Sequence, residues 1–179
     1  MAKLLGNVFG VPFGGSGSEQ MTRRRIVAVA SGGGHWIQLL RLSPAWAGLD
    51  CAYVTTNAGL QSDLPSENEA GCRFYFVPDA NRSRKLQLLR QMVAVAWIVV
   101  RERPTVVITT GASVGFFALV TAKWVGSRTV WLDSVANADE LSLSGQRAGR
   151  FADLWLTQWP ELARERTGEA GPSYHGSVL

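Results

Sequence analysis

The sequence predicts an α/β fold built on a parallel, Rossmann-like sheet with helices on both faces. Three observations carry this: short continuous apolar runs, their alternation with helical segments, and small or polar residues where each run stops. Ile26-Val27-Ala28-Val29-Ala30 is the first run and reads as a strand buried on both faces. It ends in Ser31-Gly32-Gly33-Gly34-His35, after which a helix is predicted from Trp36 to about Arg41. Ala52-Tyr53-Val54-Thr55-Thr56 is the second strand, closed by Asn57 and Gly59, and Phe74-Tyr75-Phe76-Val77 is the third, stopped by Pro78 and Asp79. A long helix follows over about 83–103. Its apolar residues Leu86, Leu89, Val93, Trp97 and Val100 recur every three or four positions, which predicts that they form its buried face. Pro104 ends that helix. Thr105-Val106-Val107-Ile108-Thr109 is the next strand, then Gly111 and a helix through Trp124, then Thr129-Val130-Trp131-Leu132 with Asp133 at its carboxyl end. A sixth strand spans 152–157, and Pro160 opens a short charged helix to about Arg166.

At 179 residues, 46% hydrophobic and 18% charged, the chain is long enough for one domain and too apolar to be disordered. Residues 1–20, with the Gly- and Ser-rich stretch Gly14-Gly15-Ser16-Gly17-Ser18, read as a flexible leader, tag or linker, and 21–179 as one domain. A membrane-touching element is the other reading of the leader. The net charge of +4 falls short of a nucleic-acid binder; much of the excess sits in Arg23-Arg24-Arg25 and Arg82-Ser83-Arg84-Lys85, suited to anionic lipid, phosphate or solubility. Cys51 and Cys72 have no metal-ligand spacing and predict a reduced, cytosolic setting. The longest apolar stretch, nine residues over 92–100 between Arg90 and Arg101, is too short to cross a bilayer.

In an open parallel sheet, ligands gather beyond the carboxyl ends of the strands. The rim therefore gathers Ser31 to His35, Thr56-Asn57, Gly111-Ala112-Ser113 and Asp133-Ser134. Gly32-Gly33-Gly34 lets backbone approach a ligand and opens a helix N-terminus suited to an anion, although neither a dinucleotide fingerprint nor a P-loop can be read there. His35 at that helix start is kept neutral by the dipole, able to take a proton from a hydroxyl or to bond a phosphate or sugar. Gly111-Ala112-Ser113 repeats the strand–turn–helix theme; Ser113 either caps its helix or offers amide and hydroxyl to a phosphate. Asp133 is a candidate base toward an acceptor hydroxyl, an orienter of His35, or a loop-capping residue. Asn137 and Glu140, in the loop after it, are weaker candidates. Of the seven tryptophans, Trp131 and Trp155 belong to strands and predict core, whereas Trp36, Trp46 and Trp159 lie near loops, where core and interface compete. Trp97 is core or interface.

Taken in order, Ser31-Gly32-Gly33-Gly34-His35, the segment 104–112, Trp131-Leu132-Asp133-Ser134, Leu156-Thr157-Gln158-Trp159 and the Gly176-Ser177-Val178-Leu179 ending resemble the Alg14 family and its bacterial exopolysaccharide relatives of the PssD type. The resemblance implies the acceptor-side, amino-terminal half of a split, inverting GT-B glycosyltransferase, inactive without a donor-binding Alg13/PssE-like subunit. That partner supplies most of the UDP-sugar site. The pair transfers N-acetylglucosamine or a hexose to a polyprenyl-diphosphate-linked acceptor in exopolysaccharide or lipid-linked oligosaccharide synthesis, at the cytoplasmic membrane face, with no cofactor or metal implied. Carried over, His35 and the glycine turn face the lipid diphosphate, with Gly111, Ala112, Ser113 and Ser134 beside them, and Asp133 is the candidate base. The family's eukaryotic members carry an amino-terminal transmembrane helix and many relatives have Glu in place of Asp133. Two other readings stand beside this one. In the first, the chain is a non-catalytic scaffold whose long helix, through Arg82, Arg84, Lys85, Arg90 and Trp97, lies on anionic lipid and positions the partner. In the second it is a small nucleotide-binding oxidoreductase, which the missing fingerprint and the absence of an acid ending the second strand disfavour.

Overall fold

The computed structural model describes residues 24–64, 72–80, 84–164 and 170–178. The leader over 1–20, Arg82, Leu179 and the last two residues, 165–166, of the expected charged helix lie outside these. Among the described residues seven strands form one parallel sheet: β1 (Arg25–Ala30), β2 (Asp50–Thr55), β3 (Arg73–Phe76), β4 (Val106–Thr109), β5 (Arg128–Leu132), β6 (Leu154–Thr157) and β7 (Ser173–Tyr174), in spatial order β3-β2-β1-β4-β5-β6-β7. The chain works outward from β1 in one direction, then returns past it to build the other half. The switch point therefore falls between β1 and β4.

Two apolar layers explain the continuous runs. Ile26, Ala28 and Ala30 of β1 face one side, with Tyr53, Ile108, Val130 and Leu132, and are covered by Trp36, Leu39 and Leu42 of α1 (Gly34–Leu42). Val27 and Val29 face the other side, with Val54 and Val107, and are covered by α2 (Lys85–Glu102) and α3 (Ala112–Trp124). A strand covered on both faces has no polar side to alternate with. α4 (Leu143–Ala148) and β7, neither predicted, are six and two residues long and give no periodic signal. After Pro160 the described residues make only a 3-10 turn, Pro160–Leu162.

Two further expectations are corrected. The stripe on α2 faces outward: Leu86, Leu89, Val93, Trp97 and Val100 are each at least half exposed, while Gln91, Val95, Ile98, Val99 and Glu102 are buried. The inward face carries two polar residues because each has a hydrogen-bonding or charged partner from another element. Gln91 Nε2 donates to Pro78 O at 2.9 Å, and Glu102 is held by Arg73 at 3.0 Å. Cys51 and Cys72 are not lone thiols. They form a disulfide, Cα–Cα 5.0 Å, because Ala52 pairs with Arg73 across β2 and β3 and the preceding residues come side by side. Trp36 and Trp46, although near loops, are core; they pack around Tyr53, whose hydroxyl accepts from Trp46 Nε1 at 3.1 Å. Trp131 is buried as expected, whereas Trp155 and Trp159 are partly exposed.

Candidate functional site

At the switch point the tips of β1 and β4 bond to one another through side chains. His35 Nδ1 lies 2.8 Å from the carbonyl of Thr110, and Thr110 Oγ1 donates to His35 O at 2.7 Å. A carbonyl only accepts, so Nδ1 carries the proton and Nε2 keeps the ring's lone pair. Burial lowers the pKa of His35 below its usual value, against the opposing pull of the Thr110 carbonyl and the Asp133 charge. The ring is therefore a neutral acceptor at pH 7.

Two glycines make this placement possible. Gly33 caps α1 at φ 77, turning the chain from β1 into the helix. Gly111, at φ 129, lies flat beneath the imidazole, where a Cβ would come within 2.7 Å of His35 Cε1. Ala112 follows at φ 64, a left-handed value uncommon for a residue with a Cβ. The two turns bring the N-termini of α1 and α3 to the same rim, each with amides that have no intrahelical acceptor. Ser113 does not cap α3; its hydroxyl donates to Gln91 Oε1 at 2.7 Å.

His35, Ala112, Ser113 and Ser134 line one cavity of ≈ 540 Å³, together with Asp79, Asn137, Ser142 and Ser144. Ser31, Gly32, Gly33 and Gly34 form the turn leading into it; Gly32 N donates to Thr56 Oγ1 at 3.2 Å, and Asn57 Oδ1 accepts from Gly59 N instead of facing the cavity. Asp133 lies behind the wall. It is 2% exposed, and its oxygens accept from Ser142 N at 2.9 Å, Ser142 Oγ at 2.7 Å and Asn137 Nδ2 at 3.3 Å. Ser142 Oγ in turn accepts from Gly145 N, capping α4. The carboxylate thus holds two cavity residues in place. Glu140 is exposed and lines a different surface depression with Asp139 and Glu161.

Sequence reasoning missed two contributors. Asp79 stands on the cavity wall at the carboxyl end of β3, and the strand-end rule applied to that tip finds it. The other is Gln38, one turn into α1 and 5% exposed. Its Nε2 donates to Gly34 O at 3.1 Å and Ser134 Oγ at 3.2 Å, while its Oε1 accepts from Val135 N at 3.1 Å and Gln158 Nε2 at 2.5 Å. Gln158 also donates to Asp133 O and accepts from Val178 N. One amide therefore joins the tips of β1, β5 and β6. Nothing local in the sequence marks it, since all its partners but one lie about a hundred residues away.

The site can bind an anion or a polyol through helix-opening amides and hydroxyls, and can accept a proton at His35 Nε2. Among the described residues its wall has no lysine or arginine. No group of three or more His, Cys, Asp or Glu placed to hold a metal occurs among the described residues.

Comparison with known proteins bears on the fold and the family. By fold, the chain is similar to MurG of Acinetobacter baumannii (TM-score 0.67, 12% identity, covering 87% of this chain and 46% of that one). It is similar also to the UDP-N-acetylglucosamine 2-epimerase of Rickettsia bellii (TM-score 0.64, 15% identity, 87% and 45%). The chain spans less than half the length of each of these structures. Its sheet is of the Rossmann-like kind found in GT-B domains. In sequence it is 26% identical over 193 residues to the UDP-N-acetylglucosamine transferase subunit ALG14 of Eremothecium gossypii, covering 92% of this chain and 86% of that protein. The family described as "Oligosaccharide biosynthesis protein Alg14 like" matches residues 75–176, more than half of the sequence, and the chain belongs to it.

Proposed function

We propose that the chain is the acceptor-binding subunit of a UDP-sugar-dependent glycosyltransferase whose donor-binding half is a second, Alg13/PssE-like chain. Family membership and the relative's description as a transferase subunit support the subunit role. The observation that carries the chemistry is His35: a neutral ring with its proton fixed on Nδ1 by Thr110, lining a cavity walled by hydroxyls and helix-opening amides. The acceptor is a sugar on a polyprenyl diphosphate. Its phosphates bond the amides of Gly33, Gly34, Ala112 and Ser113, with Ser31, Gly32, Gly111 and Ser134 shaping that cradle.

In the reaction, the acceptor hydroxyl oxygen attacks the anomeric carbon of the donor sugar. The bond from that carbon to the UDP oxygen breaks, UDP leaves with the electron pair, and the configuration inverts. The hydroxyl proton passes to His35 Nε2. Asp133 acts on this centre in two ways: its charge favours the imidazolium that forms, and its bonds to Ser142 and Asn137 keep the wall in shape. For Asp133 to serve as the base itself, it has to release Ser142.

Transfer of N-acetylglucosamine or hexose to a polyprenyl-linked acceptor is measured with the purified chain and with the chain co-expressed with the product of the neighbouring reading frame. The chain alone is expected to be inactive and the pair active. Full activity from the chain alone refutes the split enzyme. A pair that keeps its activity after His35→Ala and Asp133→Asn refutes catalysis here and leaves a scaffold.

A further inference from the structure

The cavity has two unlike sides, with His35 between them. In the strand order β3 lies beyond β1 on one side and β5 beyond β4 on the other, while His35 bridges the tips of β1 and β4. The β5 side presents Ser134, Asn137, Ser142 and Ser144, uncharged groups that can donate as well as accept. On the β3 side stands Asp79, the one carboxylate that lines the cavity among the described residues. It is exposed, yet its backbone is tied down on both sides. Val77 is fully buried and donates from its amide to Thr55 O at 2.9 Å, which extends the pairing with β2 past the end of β3. Pro78 O accepts from Gln91 Nε2 at 2.9 Å, and Gln91 Oε1 accepts from Ser113 Oγ at 2.7 Å. One fully buried amide of α2 thus joins the segment carrying Asp79 to the first turn of α3, on the same wall. Asp79 Oδ1 accepts from Ala80 N at 2.9 Å. The side chain does not cap α2, whose N-cap is Arg84, and among the described residues no cation pairs with it.

We propose that Asp79 accepts hydrogen bonds from hydroxyls of the acceptor's sugar, so that the chain selects polyprenyl diphosphates already carrying a sugar over bare ones. This rests on the acceptor-binding reading above and names the part of the acceptor that is recognised. The matching of donors to acceptors carries it. An ionised carboxylate only accepts, and a diphosphate has no proton to offer it. Like charge adds repulsion between the two. A pyranose ring, by contrast, presents several O–H donors, and a carboxylate bonds these more strongly than a neutral oxygen does. The phosphates therefore turn to the amides and hydroxyls of the wall, and the sugar turns to the β3 side. His35 Nε2, between the two sides, then meets a hydroxyl of the same ring. Asp79 is a specificity-determining residue in this account, and the proton goes to His35.

The test is titration calorimetry of the full-length chain with farnesyl diphosphate, bare or carrying glucose, galactose or N-acetylglucosamine. At least one glycosylated form is expected to bind the unaltered chain roughly tenfold to a hundredfold more tightly than the bare diphosphate. Asp79→Asn removes the charge but keeps an oxygen for Ala80 N, so its melting temperature is expected to stay within a few degrees. In that variant the preferred glycosylated form is expected to lose roughly tenfold or more in affinity, while the bare diphosphate binds as before or slightly better. The proposal is overturned if bare and glycosylated forms bind the unaltered chain alike. It is overturned equally if Asp79→Asn weakens both by the same factor, which assigns Asp79 to the shape of the wall. A variant that lowers kcat in the active pair and leaves acceptor KM unchanged also overturns it, because that marks a proton acceptor. An unaltered chain that binds none of the four ligands removes the acceptor-binding reading itself. One that binds them without dependence on Asp79 removes this proposal alone.

Discussion

The two ends of the sheet are built on opposite principles. At the amino ends of the strands, charge is answered by charge: Arg25 bonds Asp50 at 2.8 Å, Arg73 bonds Asp50 at 2.6 Å and Glu102 at 3.0 Å, Tyr75 donates to Glu102, and Lys123 pairs with Asp153. Every acid in that set has a partner from another element, which pins β1, β2, β3 and α2 together. At the carboxyl ends the only buried charge among the described residues is Asp133, spent on the wall. The cavity surface is left with serines, amides, a neutral imidazole and, at its edge, the exposed Asp79. The lesson is that the fold closes its charges at one end and leaves unfilled hydrogen-bonding capacity at the other. Substitutions at the two ends should therefore separate stability from chemistry.

The largest expected effect belongs to the open end. His35→Ala in the assembled transferase is expected to lower kcat by about 10²–10⁴, the usual weight of a proton-transfer residue, with little change in melting temperature. A fall of that size matched by an equal loss of folded protein breaks the comparison. At the closed end, Arg73→Ala leaves Glu102 buried with only Tyr75 and a 3.6 Å approach from Arg25. A loss of about 3 kcal/mol in denaturant unfolding is expected, with activity per folded molecule unchanged.

Gly111→Ala sharpens the contrast, because it stores strain of about 1–3 kcal/mol in the backbone and pushes the imidazole off Thr110. Lost activity is expected to exceed what the lost stability explains, read as kcat against the fraction folded. Gln38→Leu orphans Val135 N, at about 1–3 kcal/mol, leaves the Gln158 amide with Asp133 O and Val178 N alone, and loosens Ser134; a rise in acceptor KM larger than any fall in kcat is the expected signature.

The smallest effect is with pH, and the two ends respond in different windows. The folded pKa of His35 lies below its unfolded value, so the native state resists the proton. Its contribution is complete above about 6.5 and is lost as pH falls below that. Burial tends to raise the pKa of Asp50, but bonds and charge from Arg25 and Arg73 more than offset it, leaving the carboxyl below its usual value. That contribution is present above the ordinary carboxylate range and is lost only as pH falls through it. A melting temperature followed down from pH 8 should therefore soften first from the His35 end and later from the Asp50 end.

How much of this was legible in the sequence follows the same division. The strands could be read because burial on both faces leaves uninterrupted apolar runs, as in 26–30 and 106–109. The turn at 31–35 could be read because only glycine tolerates the φ of 77 at Gly33. The orientation of α2 could not, since both of its faces are apolar and the true inner face includes Gln91 and Glu102. What makes those two acceptable inside is Pro78, Ser113 and Arg73, none of them near in sequence to the residue it satisfies. The Cys51–Cys72 pairing needed the register of β2 against β3. Gln38 needed the positions of three strand tips. Local pattern reported which residues are apolar; partners across the fold decided which polar residues were allowed inside.

The central claim is that the switch point holds a neutral imidazole protonated on Nδ1, with Nε2 free for a substrate proton. The chain has two histidines, so nitrogen-15 spectra of the imidazole rings can be assigned with a His175→Gln variant. Titration of the folded protein is expected to show His35 as the Nδ1–H tautomer with a pKa below 6.5. An Nε2–H tautomer, or a pKa above that value, contradicts the account.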